Sequence, residues 1–399
     1  MLKGKTILLG VSGSIAAYKI ANLASMLVKL HAEVHVLMTK NACQFITPVT
    51  FETLTGHKCL IDTFDRNFEF QVEHVSLAKK ADLFLIAPAT ANVIGKIASG
   101  ICDDMLTTTV MACKAPKLIA PAMNTQMWEN PILQDNLKKL LHYGYQLIQP
   151  AAGRLACGDT GSGKLPSEEV LLQHILLQVA LPHDLAGKRV LLTAGPTREA
   201  IDPVRFITNH STGKMGYALA KMACLRGADV TLVSGPVNIA AFPGIEVVPV
   251  SSAEDMFQAV EARYEAQDIL ILSSAVADYT PAEYHEQKTK KADADMSLPL
   301  KRTQDILKFL GEHRKDGQVL VGFSMETENL IANSTAKLER KNADLICANS
   351  ISTGKTGFGV DTNQVTLISR TDVHELPLCS KEETANYILD EILLLNPKH

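Results

Sequence analysis

The sequence predicts two consecutive α/β domains, each a doubly wound, three-layer structure with helices on both faces of a largely parallel sheet. The chain has 399 residues, more than one hydrophobic core usually supports. Short, wholly apolar runs alternate with longer amphipathic segments, which is typical of parallel strands covered by helices. The alternation stops at PHDLAGK (182–188), whose proline, glycine and charges indicate a linker, and then restarts. We therefore predict domains at 1–183 and 184–399.

Apolar runs and helical spacing predict the elements of the first domain in alternating order. Strands are predicted at 5–11, 32–39, 81–88, 117–123 and 145–150. Helices are predicted at 14–30, 91–100, 104–113, 131–143 and 166–181. Because the strands are apolar on both faces and lie between helices, we expect them to form a buried parallel sheet.

The second domain repeats this alternation with more strands. Strands are predicted at 188–195, 228–235, 245–250, 268–276, 318–325 and 343–349. Helices such as 213–226 and 252–265 separate several of them. The run 363–370 precedes the last helix, and we expect it to form an antiparallel strand at the edge of the sheet.

Composition excludes several classes of partner. The net charge of −4 gives no electrostatic reason to expect nucleic acid or an anionic membrane. The first apolar run is too short for a transmembrane helix, and no signal-peptide cleavage site follows it. The eight cysteines show no paired spacing, which is typical of reduced thiols. We expect a cytoplasmic protein without a membrane or nucleic-acid partner.

Two glycine-containing and polar turns follow predicted strands of the first domain. Gly13 and Ser14 precede a helix, where free backbone N–H groups favour a phosphate, although a plain capped turn has the same pattern. Thr90 and Asn92 follow the central strand, at the sheet edge where open α/β sheets bind ligands. Small side chains there would admit a flat ring, and the threonine and asparagine would supply hydrogen bonds.

Three further features are expected at the same edge. His74 lies ahead of a helical segment, and Asn124 lies at the tip of a strand. Residues 157–164, CGDTGSGK, have the glycine spacing of a phosphate-binding loop with a cysteine in front. A phosphate-binding loop of an NTPase is disfavoured because Leu165 replaces the serine or threonine that would bind Mg²⁺. Each feature alone is weak evidence, but together they are specific.

The second domain has its own set of polar motifs. Ser211, Thr212 and Gly213 precede a helix and form a potential anion nest, and Asn209 lies just before them. A capped helix after a long loop would explain the serine alone. Asp278 ends a strand, where a carboxylate could meet a metal ion or a ribose. The basic candidates in this half are Lys288, Lys337 and Lys341.

These motifs resemble a known family. GVSGSIAAYK (10–19), EHVSL (73–77), APATAN (87–92), PAMNTQMW (121–128) and RLACGDTGSGK (154–164) are similar to the flavin-containing cysteine decarboxylases. AVADY, the lysine cluster after it, GF-x-x-ET and K-x-x-x-KN resemble a cytidylate-forming ligase. Nearly the whole chain therefore resembles the bifunctional bacterial phosphopantothenoylcysteine decarboxylase/phosphopantothenate–cysteine ligase family of coenzyme A synthesis.

For the first domain the resemblance implies a flavodoxin/Rossmann-like fold that binds FMN. The flavin would oxidise the CH₂–SH group of the substrate to a thioaldehyde, which provides the electron sink for loss of CO₂. The resemblance implies that His74 is the base, Asn124 binds the substrate carboxylate and Cys157 is the acid. The implied FMN contacts are Gly13, Ser14, Thr39, Ala89, Thr90 and Asn92. Residues 157–164 would form a mobile flap, with Lys164 where the family usually has arginine.

For the second domain the resemblance implies a Rossmann-like ligase that uses CTP and Mg²⁺. The carboxylate of 4′-phosphopantothenate would attack the α-phosphate of CTP, and the amine of L-cysteine would then displace CMP. Asn209 would orient the acyl intermediate, Ser211, Thr212 and Gly213 would bind the substrate phosphate, and Asp278 would bind the metal ion. The implied CTP contacts are Ser273, Ser274, Asp278, Lys288, Asp305, Ile306, Phe323, Lys337 and Lys341.

The resemblance also implies an oligomeric state, and it leaves a non-catalytic flavoprotein as an alternative to an enzyme. In the family the first domain forms trimers and the second forms dimers, so a homododecamer is expected. Some flavoproteins of this group regulate other proteins without catalysis. The joint presence of His74, Asn124 and Cys157 favours an enzyme over such a regulator.

Overall fold

The computed structural model describes residues 1–63, 73–154, 158, 160–288, 297–326, 328–350 and 360–395. The chain divides into two compact units, Met1–Pro182 and His183–His399. Each unit has its own main sheet and its own cluster of buried apolar side chains. Among the described helices, none combines the length and the apolar character needed to cross a membrane.

The first unit alternates strands and helices. Its strands are β1 (Thr6–Val11), β2 (Glu33–Met38), β3 (Leu83–Ala89), β4 (Lys117–Pro121), β5 (Gln146–Leu147), β6 (Ala151–Arg154) and β7 (Thr160–Lys164). Its helices are α1 (Ala17–Lys29), α2 (Pro48–Thr55), α3 (Glu73–Lys80), α4 (Ala91–Ser99), α5 (Met105–Ala112), α6 (Thr125–Trp128), α7 (Pro131–His142) and α8 (Glu168–Val179).

The main sheet of the first unit has the order β2-β1-β3-β4-β5, and all its neighbouring strands are parallel. Every residue of β1 and β3 is buried. Helices α1, α2 and α8 form one group of contacts, and α3, α4, α5 and α7 form another. Because alternate side chains of a strand point to opposite faces, the two helix groups cover the two faces of the sheet.

The last five residues of the glycine-rich run, Thr160–Lys164, form a strand rather than a loop. β7 pairs antiparallel with β6, with Gly153 opposite Gly161 and Arg154 opposite Thr160. A phosphate-binding loop would instead connect a strand directly to the start of a helix. The described part of CGDTGSGK is therefore one arm of a β-hairpin, and α8 begins only at Glu168.

The second unit has the same alternation in a larger sheet. Its strands are β8 (Arg189–Ala194), β9 (Arg198–Ala200), β10 (Phe206–Thr208), β11 (Asp229–Ser234), β12 (Ile245–Pro249), β13 (Ile269–Leu272), β14 (Tyr279–Pro281), β15 (Leu300–Arg302), β16 (Val319–Glu326), β17 (Leu345–Ser350), β18 (Thr362–Asn363), β19 (Val365–Ser369), β20 (Val373–Glu375) and β21 (Cys379–Ser380). Its helices are α9 (Lys214–Leu225), α10 (Ala253–Glu261), α11 (Ile306–His313), α12 (Leu330–Arg340) and α13 (Lys381–Leu395).

The main sheet of the second unit has the order β12-β11-β8-β13-β16-β17-β19-β20. The first six strands are parallel, and helices α10, α11 and α12 share one core cluster with them. Helices α9 and α13 pack against each other, and α9 contacts β8. The predicted fold class, two α/β domains built on mostly parallel sheets, is confirmed.

One predicted strand has a different position in the sheet. β19 runs antiparallel to β17, as expected, but β20 pairs with its other side and forms the edge. β20 is only three residues long, has the sequence VHE and is wholly exposed. Such a short segment carries no apolar alternation that would indicate a strand. The tight turn between the two strands is closed by Ser369 N, which donates to Asp372 O at 2.9 Å.

Candidate functional site

The carboxyl ends of β1 and β3 meet at the point where the strand order of the first sheet reverses. Ser12 connects them, because its buried hydroxyl donates to Pro88 O at 2.6 Å and accepts from Thr90 N at 3.0 Å. Thr90 is the N-cap of α4. Such a reversal point is the usual ligand crevice of open α/β sheets. Sequence reasoning missed Ser12, although it lies inside the GVSGS motif.

The turn after β1 requires glycine. A Cβ on Gly13 would lie 2.7 Å from the Cβ of Asn41, closer than real Cβ atoms approach one another. The next residue, Ser14, accepts from Ala16 N at 3.3 Å just before α1 begins. The backbone of Gly13 and Ser14 therefore lies at the N-terminus of a long helix, where the helix dipole favours an anion.

The other predicted flavin contacts lie at the same edge. Thr39 follows β2, and its backbone N–H donates to Val11 O at the end of β1. Ala89 ends β3, and its carbonyl accepts from Ala122 N beyond β4. Asn92 is exposed in the first turn of α4. The topology thus brings the six residues together at one edge, and their contact with FMN stays a prediction.

A cleft of about 390 Å³, here called the first-unit cleft, lies between the start of α1, the end of β4 and β7. Ser14 and Asn124 line it, and Asn124 also caps α6 by accepting from Met127 N at 2.8 Å. Three cationic side chains also line the cleft: Lys19, Arg154 and Lys164. None of its described lining residues carries a carboxylate. Sequence reasoning missed Lys19 and Arg154, although they lie at the ends of the motifs GVSGSIAAYK and RLACGDTGSGK.

The hairpin is fixed to this cleft at one arm. Met123 N donates to Gly163 O at 3.0 Å, and the hydroxyl of Thr125 donates to Ser162 O at 3.0 Å. Cys157 is outside the described residues, so its role as an acid stays a prediction. His74 is the second residue of α3, half-buried, and is not among the described residues that line the cleft.

A second cleft, here called the large cleft, has a volume of about 670 Å³ in the second unit. Of the nine predicted CTP contacts, seven line it: Ser274, Asp278, Asp305, Ile306, Phe323, Lys337 and Lys341. Ser273 does not line it, and Lys288 is exposed just before residues that are not described. The topology therefore brings most of this scattered set together at the carboxyl ends of β13 and β16.

Charge in the large cleft is mixed. Lys341 forms an ion pair with Asp305, whose carboxylate also caps α11 by accepting from Lys308 N at 2.9 Å. Burial acts to raise the pKa of Asp305, but these hydrogen bonds outweigh it and lower the pKa. Lys337 donates to Phe323 O at 2.9 Å, and burial lowers its pKa. Both partly buried lysines are therefore positioned before any ligand binds.

Sequence reasoning missed further polar groups of the large cleft. Arg302, Arg340 and Glu326 line it beside the predicted residues. Thr303 links two segments that line the large cleft, because its hydroxyl donates to Ala277 O at 2.6 Å and its backbone N–H donates to Asp278 O at 3.0 Å. The run KRTQD (301–305) carries several of these groups, so the residues preceding Asp305 were a usable signal.

A third cleft, here called the small cleft, has a volume of about 150 Å³ beside the N-terminus of α9. Thr212, Gly213 and Ser273 line it. Gly213 is the N-cap of α9 with φ +79°, a conformation that favours glycine. Ser211 accepts from Gly213 N at 3.4 Å, and Asn209 donates to Ala275 O at 2.9 Å. The predicted phosphate-binding residues thus surround one helix end.

Cationic groups missed from the sequence also line the small cleft. Lys214 forms an ion pair with Asp361 at 2.7 Å, and the buried Lys381 donates to Val360 O at 2.6 Å. Ser274 and Phe323 line both the small and the large cleft. The two clefts are therefore adjacent, and a molecule in one could react with a molecule in the other at these two residues.

Comparison with known proteins places both units in characterised families. Residues 1–180 match the Flavoprotein family model, and residues 185–395 match the model of the DNA/pantothenate metabolism flavoprotein C-terminal domain. The chain is 49% identical to a coenzyme A biosynthesis bifunctional protein CoaBC of Bacillus subtilis, over 99% of this chain and 98% of the relative. Its identity to the Vibrio cholerae protein of the same description is 46%, over 97% of this chain and 98% of the relative.

A solved structure of the C-terminal domain of a coenzyme A biosynthesis bifunctional protein CoaBC is also similar. It is 44% identical, covers 54% of this chain and 98% of its own, and has a TM-score of 0.47. The full-length relatives and the two family models decide the assignment. The chain belongs to the family of coenzyme A biosynthesis bifunctional proteins.

Proposed function

We propose that the chain carries out two successive steps of coenzyme A biosynthesis, one in each unit. The second unit joins L-cysteine to 4′-phosphopantothenate with CTP, and the first unit decarboxylates the product to 4′-phosphopantetheine. The observation that carries this proposal is the 49% identity to a bifunctional coenzyme A biosynthesis protein over 99% of the chain. A family model matches each unit separately, which supports one activity in each.

In the second unit, the large cleft would bind CTP. A carboxylate has no adequate leaving group, so the acid must first be activated by forming an acyl-cytidylate with release of pyrophosphate. Lys337, Lys341 and the missed Arg302 and Arg340 offer positive charge to the triphosphate. Asp278 and other carboxylates of the same cleft offer the oxygen donors that Mg²⁺ prefers, so the described residues fit this ion. Bound Mg²⁺ would reduce the repulsion between the triphosphate and the incoming carboxylate.

The small cleft would bind 4′-phosphopantothenate. The backbone N–H groups before α9, together with Lys214 and Lys381, suit its phosphate dianion. Asn209 donates to the carbonyl oxygen of Ala275, the residue after Ser274, and this hydrogen bond orients its amide. We place the reacting carboxylate at Ser274 and Phe323, because those residues line both clefts. The amine of cysteine then attacks the acyl carbon, and CMP leaves.

In the first unit, FMN would bind at the reversal point of the sheet. The fit rests on the helix N-terminus at Gly13 and Ser14, and on the close approach that only glycine permits at Gly13. Bound flavin supplies the two-electron redox chemistry that lets the cysteine carboxylate leave as CO₂. Asn124, exposed at the mouth of the first-unit cleft, would hold that carboxylate, and Arg154 and Lys164 would attract the substrate phosphate.

The proton-transfer groups of the decarboxylase are proposed from the family. His74 would accept a proton as the substrate is oxidised, and Cys157 would donate one after CO₂ has left. Cys157 lies between β6 and β7 in the sequence, and β7 is fixed to Met123 and Thr125. We propose that this attachment positions Cys157. We further propose a homododecamer, with trimers through the first unit and dimers through the second.

The experiment that tests the proposal follows both reactions in one preparation. The purified protein should contain FMN, and with 4′-phosphopantothenate, L-cysteine, CTP and Mg²⁺ it should release CMP, pyrophosphate and CO₂. Absence of flavin would contradict the assignment of the first unit. CMP formation without CO₂ would contradict the decarboxylase, and absence of CMP would contradict the ligase.

Two substitutions should separate the activities. Cys157→Ser should retain CMP formation but stop after a single release of CO₂ per bound flavin, without forming 4′-phosphopantetheine. Asn209→Ala should lose CMP formation and keep decarboxylating 4′-phosphopantothenoylcysteine when this is supplied. Each variant is the control for the other. Cys102→Ser removes an exposed thiol of the same unit and should change neither rate. Equal loss of both activities in either variant would contradict the separate roles.

A further inference from the structure

Three potential metal ligands meet at the edge of the first sheet, away from the clefts. Glu33 opens the edge strand β2, and His35 lies two residues later on the same face of the sheet. The chain after α2 runs parallel to β2, because Leu60 N donates to Val36 O at 2.9 Å and Met38 N donates to Leu60 O. This pairing brings His57 beside His35, with the rings stacked at 4.3 Å and 28°.

The donor atoms are close enough to share one ion. Glu33 Oε1 and His35 Nε2 are 2.9 Å apart, and the ligand atoms of Glu33, His35 and His57 all lie within 4.8 Å of one another. Bonds of about 2.0–2.2 Å to a central ion place neighbouring donors roughly 3–3.5 Å apart, so small side-chain rotations suffice. The His35 side chain is 14% exposed and that of Glu33 is 34% exposed, which leaves an entry path.

Two imidazoles and a carboxylate are a donor set of divalent transition metals. Zn²⁺ binds nitrogen and carboxylate oxygen, and sites with three protein ligands complete their coordination with water. Mg²⁺ prefers oxygen donors and would not select two imidazoles. The donor set therefore differs from that of the carboxylates in the large cleft.

One cation already occupies part of this position. Lys80, the last residue of α3, forms an ion pair with Glu33 Oε1, the same oxygen that contacts His35. The Lys80 side chain is 52% exposed, so it can move into solvent. A metal ion must displace this ammonium from Glu33, and Lys80 therefore sets how tightly the ion binds.

We propose that Glu33, His35 and His57 form a binding site for a divalent transition metal such as Zn²⁺, with Lys80 as the competing internal cation. The site lies at the amino end of β2, whereas the predicted flavin contacts lie at the carboxyl ends of the strands. It does not depend on the proposed catalytic function, because none of these four residues takes part in either reaction.

The test uses the full-length flavoprotein after treatment with EDTA and removal of the chelator. Co²⁺ is titrated in and followed by its visible d–d absorption, and Zn²⁺ binding is measured by calorimetry and by displacement of Co²⁺. We expect one saturable site per chain. His57→Ala should weaken binding by about tenfold or more because it removes a direct ligand. Lys80→Met should tighten binding, because no ammonium then competes for Glu33.

Matched controls distinguish this site from other ligands in the chain. His142→Ala removes an exposed imidazole of α7 and should leave the isotherm unchanged. His57→Gln keeps a polar side chain of similar size and should weaken binding as His57→Ala does, which separates ligand loss from damage to the fold. Absence of saturable binding, or equal binding by wild type and both His57 variants, would overturn the proposal. Equal binding by Lys80→Met and wild type would overturn the role of Lys80.

Discussion

Single residues decide how the strand ends of the first unit are joined. Ser12 links β1 to the turn after β3 through its hydroxyl, although the flanking Gly13 and Ser14 carry the recognisable motif. The sequence predicts the glycine turn because its residue types are distinctive. The role of Ser12 could not be predicted, since Pro88 and Thr90 are 76 and 78 residues away along the chain.

Ser12→Ala should destabilise the first unit by about 1–3 kcal/mol, because the N–H of the half-buried Thr90 loses its hydroxyl acceptor. The free energy of unfolding, measured in urea by flavin fluorescence, checks this. Ser76→Ala removes an exposed serine of α3 and should change it by less than about 0.5 kcal/mol. Equal stability of the two variants would show that the Ser12 hydroxyl does not stabilise the strand ends.

The hydrogen bonds of Glu33 predict that the free energy of unfolding falls in acid over a defined pH range. The hydrogen bonds from Lys80 and His35 lower the pKa of Glu33 from 4.5 to about 2. Because the folded-state pKa lies below the unfolded one, this stabilisation is fully present above pH 4.5 and is lost as the pH falls towards about 2. Glu33→Gln should therefore be less stable than wild type at neutral pH.

The measurement compares urea unfolding of wild type and Glu33→Gln in EDTA at neutral pH and at several pH values down to about 2. The difference in unfolding free energy should shrink with acidification, and high salt should reduce it at neutral pH, because Lys80 is exposed. A difference that is constant over this range would contradict the role of the Lys80 ion pair.

At the scale of elements, long apolar strands were predictable and the short polar ones were not. The buried runs of β1 and β3 have a strong sequence signal, since every residue is apolar or small. β7 has the sequence TGSGK, and its pairing depends on β6 and on Met123 rather than on its own side chains. A glycine-rich strand therefore has the composition of a loop, and the sequence could not distinguish the two.

Gly163→Ala should selectively impair decarboxylation. Gly163 has φ +125°, and a Cβ there would overlap the carbonyl oxygen of Met123. The alanine should push the hairpin away from the cleft and slow CO₂ release by tenfold or more, by analogy with the about 10²-fold loss that a small misplacement of catalytic groups produces. CMP formation in the second unit should be unchanged.

Gly153→Ala is the matched control in the same hairpin. Gly153 also has a positive φ, +148°, but a Cβ there would have only Lys164 Cδ nearby, at 4.0 Å. Both variants carry backbone strain of about 1–3 kcal/mol, so any difference between them reports the contact with Met123. Equal decarboxylase rates in the two variants would show that this contact does not position the hairpin.

At the scale of the whole molecule, the division into two alternating α/β units follows from length and pattern, whereas the grouping of distant residues depends on topology. Asp278, Asp305 and Lys337 come together in the large cleft because β13 and β16 are neighbours in the sheet. Strand order depends on the packing of all helices at once, and no local pattern contains it. Arg340 was missed for this reason, since on its own helix it looks like a solvated charge.

Separate cores predict separate unfolding transitions. FMN should raise the melting temperature of the first unit, and CTP with Mg²⁺ should raise that of the second, because each ligand is proposed to bind one unit. A ligand at a hundred times its dissociation constant stabilises by about 2.7 kcal/mol, which differential scanning calorimetry detects. A single transition that both ligands shift equally would contradict independent units.

Ser274 and Phe323, which line both clefts of the second unit, limit how the specificity of this unit can change during evolution. With CTP in the large cleft and the acid in the small cleft, as proposed above, substitutions elsewhere in the large cleft would alter the choice of nucleotide, and substitutions elsewhere in the small cleft would alter the choice of acid. Either specificity can therefore drift in one lineage without loss of the other. Under the proposed binding mode a change at Ser274 or Phe323 would alter both at once, so a redesign of this ligase for a new nucleotide should keep these two residues fixed.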